Sequence, residues 1–346
     1  MRVAGENAAA AGVGDSSPAE ALMWAIVQDV YGSADVLRLA EVARPNVGVD
    51  DVLVRVRAAG VHIGDWHVMV GRPYLMRAMG FGVRGPKARV RGMDVAGTVV
   101  AVGPNVTRLQ PGDEVFGSCD GSFAEYATAR EITLAVKPAT LSFEQAAVVP
   151  TSACTALQAL RDAVRIETGQ RILIIGASGG VGLFAVQIAK ALGAEVTGVC
   201  STAKVDLVHS VGADRVLDYS SGDFTTDGQQ YDRILDLGGT RPLSALRPSL
   251  TRRGTLVLVG GEGGGRWVGG AMLRSLRALA LSPFLRQNLR MILATTNGQD
   301  LELLTELVEG GKVTPVIDRV YPLSRAQDAL RHLMSGNAQG KVVLTV

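Results

Sequence analysis

The chain has 346 residues, 47% hydrophobic and 20% charged, which is enough apolar material for two buried cores and too much chain for one. Thirty-five basic against 33 acidic side chains leave a net charge of +2, without the general electrostatic footprint of a nucleic-acid binder. Three cysteines, Cys119, Cys154 and Cys200, with no C-x-x-C, support neither a disulfide framework nor a cysteine-rich zinc knot, and fit a reducing, cytoplasmic setting.

Residues 1–22 carry Glu6, Asp15 and Glu20 and lack the continuous apolar core of a secretory signal, so they read as a disordered extension. A strand-like pattern begins at "WAIVQDV" (24–30), directly after Met23. The runs 51–61 ("DVLVRVRAAGV"), 93–103 ("MDVAGTVVAVG") and 112–118 ("GDEVFGS") read as strands of an irregular β-rich unit. Between them, residues 72–92 mix glycine, proline and bases without a steady period and read as a long loop. No run of 18 uncharged apolar residues occurs, so no membrane span is expected.

After Pro150 the rhythm changes to short buried runs alternating with longer helical patterns. "RILIIG" (171–176), "EVTGVC" (195–200), "RILDLGG" (233–239), "GTLVLVGG" (254–261) and "RMILATT" (290–296) are the strands of a parallel α/β unit, with "FAVQIAKALG" (184–193) a crossover helix. Residues 266–293 hold five arginines and no acid. They read as a helix and strand packed on one face with solvated arginines on the other; an anionic membrane surface or an acidic partner is the alternative. The tail returns to strand, helix and strand: "PVIDRVYPL", then "SRAQDALRHLMS" opening on a Ser324 cap, then "KVVLTV". The tail can complete the first unit, over 23–147 and 312–346, beside a second unit over 148–311.

The most informative stretch is "RILIIGASGGVGLFAVQIAKALGAEVTGVCST" (171–202), a strand, a glycine-rich turn, an amphipathic helix and a second strand. Glycines let backbone and helix approach a pyrophosphate and the sheet closely, and the helix amides offer positive charge, so Ser178, Gly179, Gly180, Val181 and Gly182 form an expected dinucleotide site. Ala177 replaces the first fingerprint glycine. An acid about 20 positions on normally holds the ribose hydroxyls of NAD. Cys200 stands there instead, followed by Ser201, Thr202 and Lys204, which supply donors to a 2′-phosphate and favour NADP(H). Tyr219 is expected to flank the adenosine end.

"AAGVHIGDWHVMVG" (58–71) places His62, Asp65 and His67 within six residues, in a chain with four histidines. Spacing alone leaves open a metal site, a proton relay and an ordinary turn.

The order of "AAGVHIGD", "GMDVAGTVVAVGPNV", "PGDEVFG", "GSFAEYA", "GASGGVGLFAVQIAKALGAEVTGV", "GADRVLDY" and "GKVVL" resembles the zinc-free, quinone oxidoreductase-like branch of the medium-chain dehydrogenase/reductase superfamily, from Met23 to Val346. The resemblance implies an α/β protein with a GroES-like β-rich catalytic domain, a Rossmann domain, a cleft between them, and a homodimeric or homotetrameric assembly. In the zinc alcohol dehydrogenases of that superfamily the catalytic ligands fall on positions corresponding here to His62, Met93 with Asp94, and Thr151. Only His62 is a good zinc ligand, so no metal is expected. The relay hydroxyl falls on Gly64.

Hydride from NADPH to a quinone or α,β-unsaturated carbonyl is then the expected reaction, with His62 as hydrogen-bond or proton donor and Tyr74 as a second candidate. Thr155 is expected near the nicotinamide, as the resemblance suggests, Gly260 and Gly261 at a later strand end, and Lys341 closing over the cofactor. A small-molecule carbonyl or quinone is the expected partner. The rivals are an alcohol dehydrogenase or ketone reductase, and a non-catalytic NADPH-binding protein.

Overall fold

Short apolar runs without alternation are strands covered on both faces, because only a doubly covered strand needs apolar side chains on both sides. In the computed structural model, which describes residues 21–226, 228–239, 241–260 and 270–346 (backbone only at 271 and 272), six of them form one parallel sheet. Its order across the sheet is Arg215–Asp218, Glu195–Cys200, Arg171–Ile175, Tyr231–Asp236, Leu250–Leu258 and Asn288–Met291. Strand order therefore reverses between Arg171–Ile175 and Tyr231–Asp236, which opens a crevice at their carboxyl ends. Ile172, Leu173 and Ile174 are fully buried there, each contributing roughly 1.5–3 kcal/mol of transfer free energy.

The earlier strands form a seven-stranded sheet in which Lys341–Thr345 pairs with Asp51–Val61, and Ile317–Pro322 lies outside it. Asp94–Val102 lies on the other side of Asp51–Val61, followed by Glu114–Ser118 and Leu134–Val136. One continuous apolar cluster joins the two sheets: Ala58, Ala96 and Phe116 pack with the helix Pro150–Gln158 and with Ile172 and Ile174. The chain is thus an α/β protein with a GroES-like β-rich part and a Rossmann-type parallel sheet.

Three local expectations change. Residues 72–92 are not all loop: helical turns occupy Tyr74–Met76 and Arg77–Phe81. The Arg77 guanidinium holds them, lying 4.1 Å from the Tyr31 ring centre and 4.7 Å from that of Tyr74 while Nε donates to Gly71 O. Such order comes from cation–π contact, which leaves no hydrophobic period to read. Ser324 is not a helix cap, because a 3-10 turn at Leu323–Arg325 precedes the helix Ala326–Met334 and puts Arg325 at the N-cap. The helix Gly270–Leu281 buries Ser275 and Ala278 and exposes Leu273, Leu276, Leu279 and Leu281, the reverse of a helix packed by its apolar face. The expected extension up to residue 20, Gly261 and residues 266–269 lie outside the described residues.

Candidate active site

His62 ends the strand Asp51–Val61 and caps the helix Ile63–Val70. Its Nδ1 accepts the Gly64 N–H at 3.0 Å, and its own N–H donates to Asp65 Oδ2 at 2.9 Å. This is a capping box with imidazole in place of a hydroxyl. Because Nδ1 accepts, the neutral ring carries its proton on Nε2. That Nε2 is buried without a hydrogen-bond partner, 3.6 Å from Asp65 Oδ2, and Asp65 Oδ1 is equally unpartnered. Burial pushes the His62 pKa down to about 4, against the pull of the Asp94 charge, and raises Asp65 to about 7. His67 takes no part: its ring meets Trp66 edge-on at 5.0 Å, and its Nδ1 lies 3.1 Å from Arg72 O.

These two shifts act on folding stability with opposite signs. His62, at about 4 instead of 6.5, contributes stability present above pH 6.5 and lost as pH falls through about 4. Asp65, at about 7 instead of 3.8, contributes stability present below pH 3.8 and lost as pH rises through about 7. Between those limits they largely cancel. Asp65→Asn removes one side, so the melting temperature of the variant is expected to climb with pH between 4 and 6.5 more steeply than that of the wild type. Parallel melting curves across that range would contradict the assignment.

Behind His62, the Asp94 carboxylate is fully buried at the start of its strand and accepts the Thr151 hydroxyl at 2.6 Å and the Thr151 N–H at 3.2 Å. Burial raises its pKa, opposed by the charges of His62 and Lys341. Lys341 is buried too, its Nζ donating to Ser152 Oγ at 2.8 Å, and burial lowers its pKa. The three positions aligned with zinc ligands are therefore brought together, but Thr151 spends its proton on Asp94 and the third is the Met93 thioether. Among the described residues no group of three or more His, Cys, Asp or Glu side chains is placed to hold a metal.

The glycine-rich turn follows Arg171–Ile175 at the point where strand order reverses. Gly179 caps the helix Gly180–Ala191 without a side-chain bond, leaving the first-turn amides free of any side-chain cap. A Cβ on Gly182 would lie 2.2 Å from Gly176 O and 2.6 Å from Ala177 O, so this glycine lets the helix sit against the strand end. A Cβ on Gly180 would lie 2.9 Å from Lys341 Cδ, which places the lysine stem over the turn. Ser178 is buried and Val181 half-buried beside it. Gly260 is exposed at the end of Leu250–Leu258, with a φ of 68° and open space at its Cβ position. Thr155 turns inward, its hydroxyl donating to Thr151 O at 2.6 Å. Tyr74 stacks with Arg77.

At the end of Glu195–Cys200, Ser201 is half-buried and Tyr219 exposed, the Tyr219 N–H donating to Cys200 O. Lys204 Nζ donates to Gly336 O at 2.9 Å, a residue of the loop before the C-terminal strand. Asp218 pairs in register with Cys200, and its carboxylate accepts the Thr202 hydroxyl at 2.6 Å. Hydrogen bonds from Thr202 and Ser221 hold its pKa at about 2.

Residues 48–159 match the family model "Alcohol dehydrogenase GroES-like domain", and 211–344 match "Zinc-binding dehydrogenase". A chloroplastic quinone-oxidoreductase homolog of Spinacia oleracea is 33% identical over 339 residues, covering 93% of this chain and 98% of that one. The chain belongs to the quinone-oxidoreductase-like branch of the medium-chain dehydrogenase/reductase superfamily. A second relative of this medium-chain oxidoreductase, 2-methylene-furan-3-one reductase of Solanum lycopersicum, is 34% identical, covering 99% of the chain and 84% of the relative. The solved quinone oxidoreductase of Coxiella burnetii superposes with a TM-score of 0.83 at 28% identity, covering 94% and 100% of the two chains.

Sequence reasoning missed three parts of the site. Ser152 carries no signal beyond following Thr151. Asp218 sits 18 residues beyond Cys200, and only strand pairing brings it to the same edge. Asp236, buried at the end of Tyr231–Asp236, accepts the N–H groups of Gly238 and Gly239 and lies 2.6 Å from Arg274; the "DLGG" run was its one visible trace.

Proposed function

We propose that this oxidoreductase is an NADPH-dependent, zinc-independent reductase of quinones or α,β-unsaturated carbonyls, with a catalytic unit over 23–147 and 312–346 and a cofactor unit over 148–311. The observation that carries the reading is the His62 Nε2–H, a buried donor with no partner beside a polar cluster that reaches the phosphate-binding turn through Lys341. The residues present fit a dinucleotide: free helix amides at Gly180 and Val181, the close approach allowed by Gly179 and Gly182, and the Lys341 ammonium above them. Bound there, a reduced nicotinamide supplies hydride. The donor set does not fit zinc, since Thr151 donates to Asp94, Met93 offers only a thioether, and among the described residues no group of three or more His, Cys, Asp or Glu is placed to hold a metal.

At neutral pH the His62 imidazole is uncharged, so it acts as a hydrogen-bond donor, drawing negative charge onto the acceptor oxygen. Asp65, titrating at about 7, keeps a proton within reach of that oxygen's donor. Tyr74 is the second proposed donor. The names of the relatives support a quinone or a conjugated carbonyl as acceptor.

Ser201 and Lys204 support the 2′-phosphate of NADPH and Tyr219 its adenosine end, while the Asp218 carboxylate favours a second reading with NADH. Steady-state kinetics with both cofactors, on a panel of quinones and one cyclic enone, test both. NADPH is expected to be preferred, with the enone reduced to a saturated ketone and activity indifferent to chelator. Lys204→Gln is expected to raise the KM for NADPH about tenfold and leave that for NADH unchanged. A wild-type preference for NADH, or allylic alcohol as product, would overturn the proposal.

A further inference from the structure

On the reading of the glycine-rich turn as a dinucleotide site, the cofactor has one direction across the parallel sheet. Its adenosine ribose belongs at the end of Glu195–Cys200, where Cys200 stands in place of the fingerprint acid, and its pyrophosphate on the turn after Arg171–Ile175. The next strand in the order of the sheet is Tyr231–Asp236, so the nicotinamide end reaches the loop that follows Asp236.

One buried side chain holds that loop. Asp236 is fully buried, and its Oδ1 accepts the Gly238 N–H at 3.1 Å and the Gly239 N–H at 2.9 Å. Gly239 takes a φ of 66°, a left-handed conformation that suits glycine. The backbone beside it is tied to both neighbouring strands: the Leu237 N–H donates to Ile175 O, and the Val259 N–H donates to Asp236 O, each at 3.0 Å. A Cβ on Gly176 would lie 3.3 Å from Gly238 N, so the loop packs against the first residue of the glycine-rich turn. The two turns lie side by side where strand order reverses.

A carboxylate this deep needs a counter-charge, because taking an ion out of water costs more than two neutral N–H donors return. Arg274 supplies it from the helix Gly270–Leu281, its Nη2 lying 2.6 Å from Asp236 Oδ2. The arginine side chain is itself largely buried, and among the described residues its Nε and Nη1 have no hydrogen-bond partner. Asp236 is its one ion-pair partner among those residues, so Arg274 acts on the crevice through that carboxylate. The pairing also accounts for the polar inward side of the helix, where Arg274 and Ser275 are adjacent.

We propose that Arg274 is a positioning residue for the nicotinamide end of the cofactor: paired with the Asp236 carboxylate, it fixes the turn of Gly238 and Gly239 against which the nicotinamide riboside lies. Calorimetric titration compares each cofactor with its fragment lacking nicotinamide, NADPH with 2′-phospho-ADP-ribose and NADH with ADP-ribose. Arg274→Gln is expected to weaken the preferred cofactor about tenfold and its fragment by no more than about twofold. Two neutral pairs identify the cause. Asp236→Asn with Arg274→Gln removes both charges but keeps an oxygen for the glycine N–H groups, so it is expected to bind cofactor within about twofold of the wild type and to melt near it. Asp236→Ala with Arg274→Gln removes that oxygen too, and is expected to bind the cofactor about tenfold more weakly with its fragment unaffected. Neither pair carries a buried unpaired charge, so both test the turn even where Arg274→Gln does not fold. Equal losses for cofactor and fragment would make the ion pair a support of the whole sheet and overturn the inference. So would an asparagine pair as weak as the alanine pair, or unchanged cofactor binding in every variant, with the dinucleotide reading left standing. A wild type that binds neither cofactor nor fragment would overturn both together.

Discussion

His62→Ala is expected to lower kcat/KM for the acceptor by roughly a hundredfold, while NADPH affinity stays within about twofold. The reason lies in the two ring nitrogens. Nδ1 belongs to the fold, accepting the Gly64 N–H, and Nε2 is left as a buried donor without a partner. Alanine removes both, so the variant should also lose about 1 kcal/mol of stability with the helix cap. His62→Asn separates the effects: a carboxamide oxygen caps the helix, and its NH₂ supplies a neutral donor. Asparagine is therefore expected to recover the melting temperature and most of the rate. If it remained as slow as alanine at full stability, the ring would have to act by carrying charge. If alanine kept wild-type kcat/KM, His62 would have no part in the chemistry.

Gly182→Ala is expected to lose about 1–3 kcal/mol of stability and at least about tenfold in NADPH affinity. The added carbon would meet two carbonyl oxygens, Gly176 O at 2.2 Å and Ala177 O at 2.6 Å. Neither can swing away as a side chain would, so the helix must shift off the strand end and carry its first-turn amides with it. Gly179→Ala is the control. Gly179 has a φ of −78°, and its Cβ position has one neighbour, Gly176 O at 3.3 Å. Alanine there should leave the melting temperature nearly unchanged while still weakening the cofactor by intruding on the open side of the turn. Thermal unfolding together with fluorescence titration of NADPH distinguishes the two. Equal affinity losses with equal melting temperatures would refute the steric account of Gly182.

The parallel sheet and the glycine-rich turn were legible because a doubly covered strand has no choice but continuous apolar residues, as "RILIIG" illustrates. His62 was legible as a residue of interest, but not as a cap: an H-x-x-D pattern resembles a capping box only once imidazole is admitted as the acceptor. What stayed hidden depends on pairing between distant segments. Asp218 reaches the end of Glu195–Cys200 through its register with Cys200, a pairing that no local pattern announces. Tyr74 was picked out for its phenol, while its ring packs with Arg77, a contact between side chains too far from any period to be anticipated.

On the proposed role of His62, its unpaired Nε2–H and the unpaired Oδ1 of Asp65 set thermal robustness against turnover. A buried polar group without a partner costs about 1–3 kcal/mol, so the resting protein is held below the stability its packing would allow. A bound carbonyl relieves part of that cost, and acceptor binding should therefore raise the melting temperature beyond what its apolar contacts supply. The same reasoning bears on directed evolution for heat resistance. Selection for a higher melting point alone should drift at position 62 toward side chains that keep an acceptor for the helix cap without the buried Nε2–H, and the cost would appear in rate.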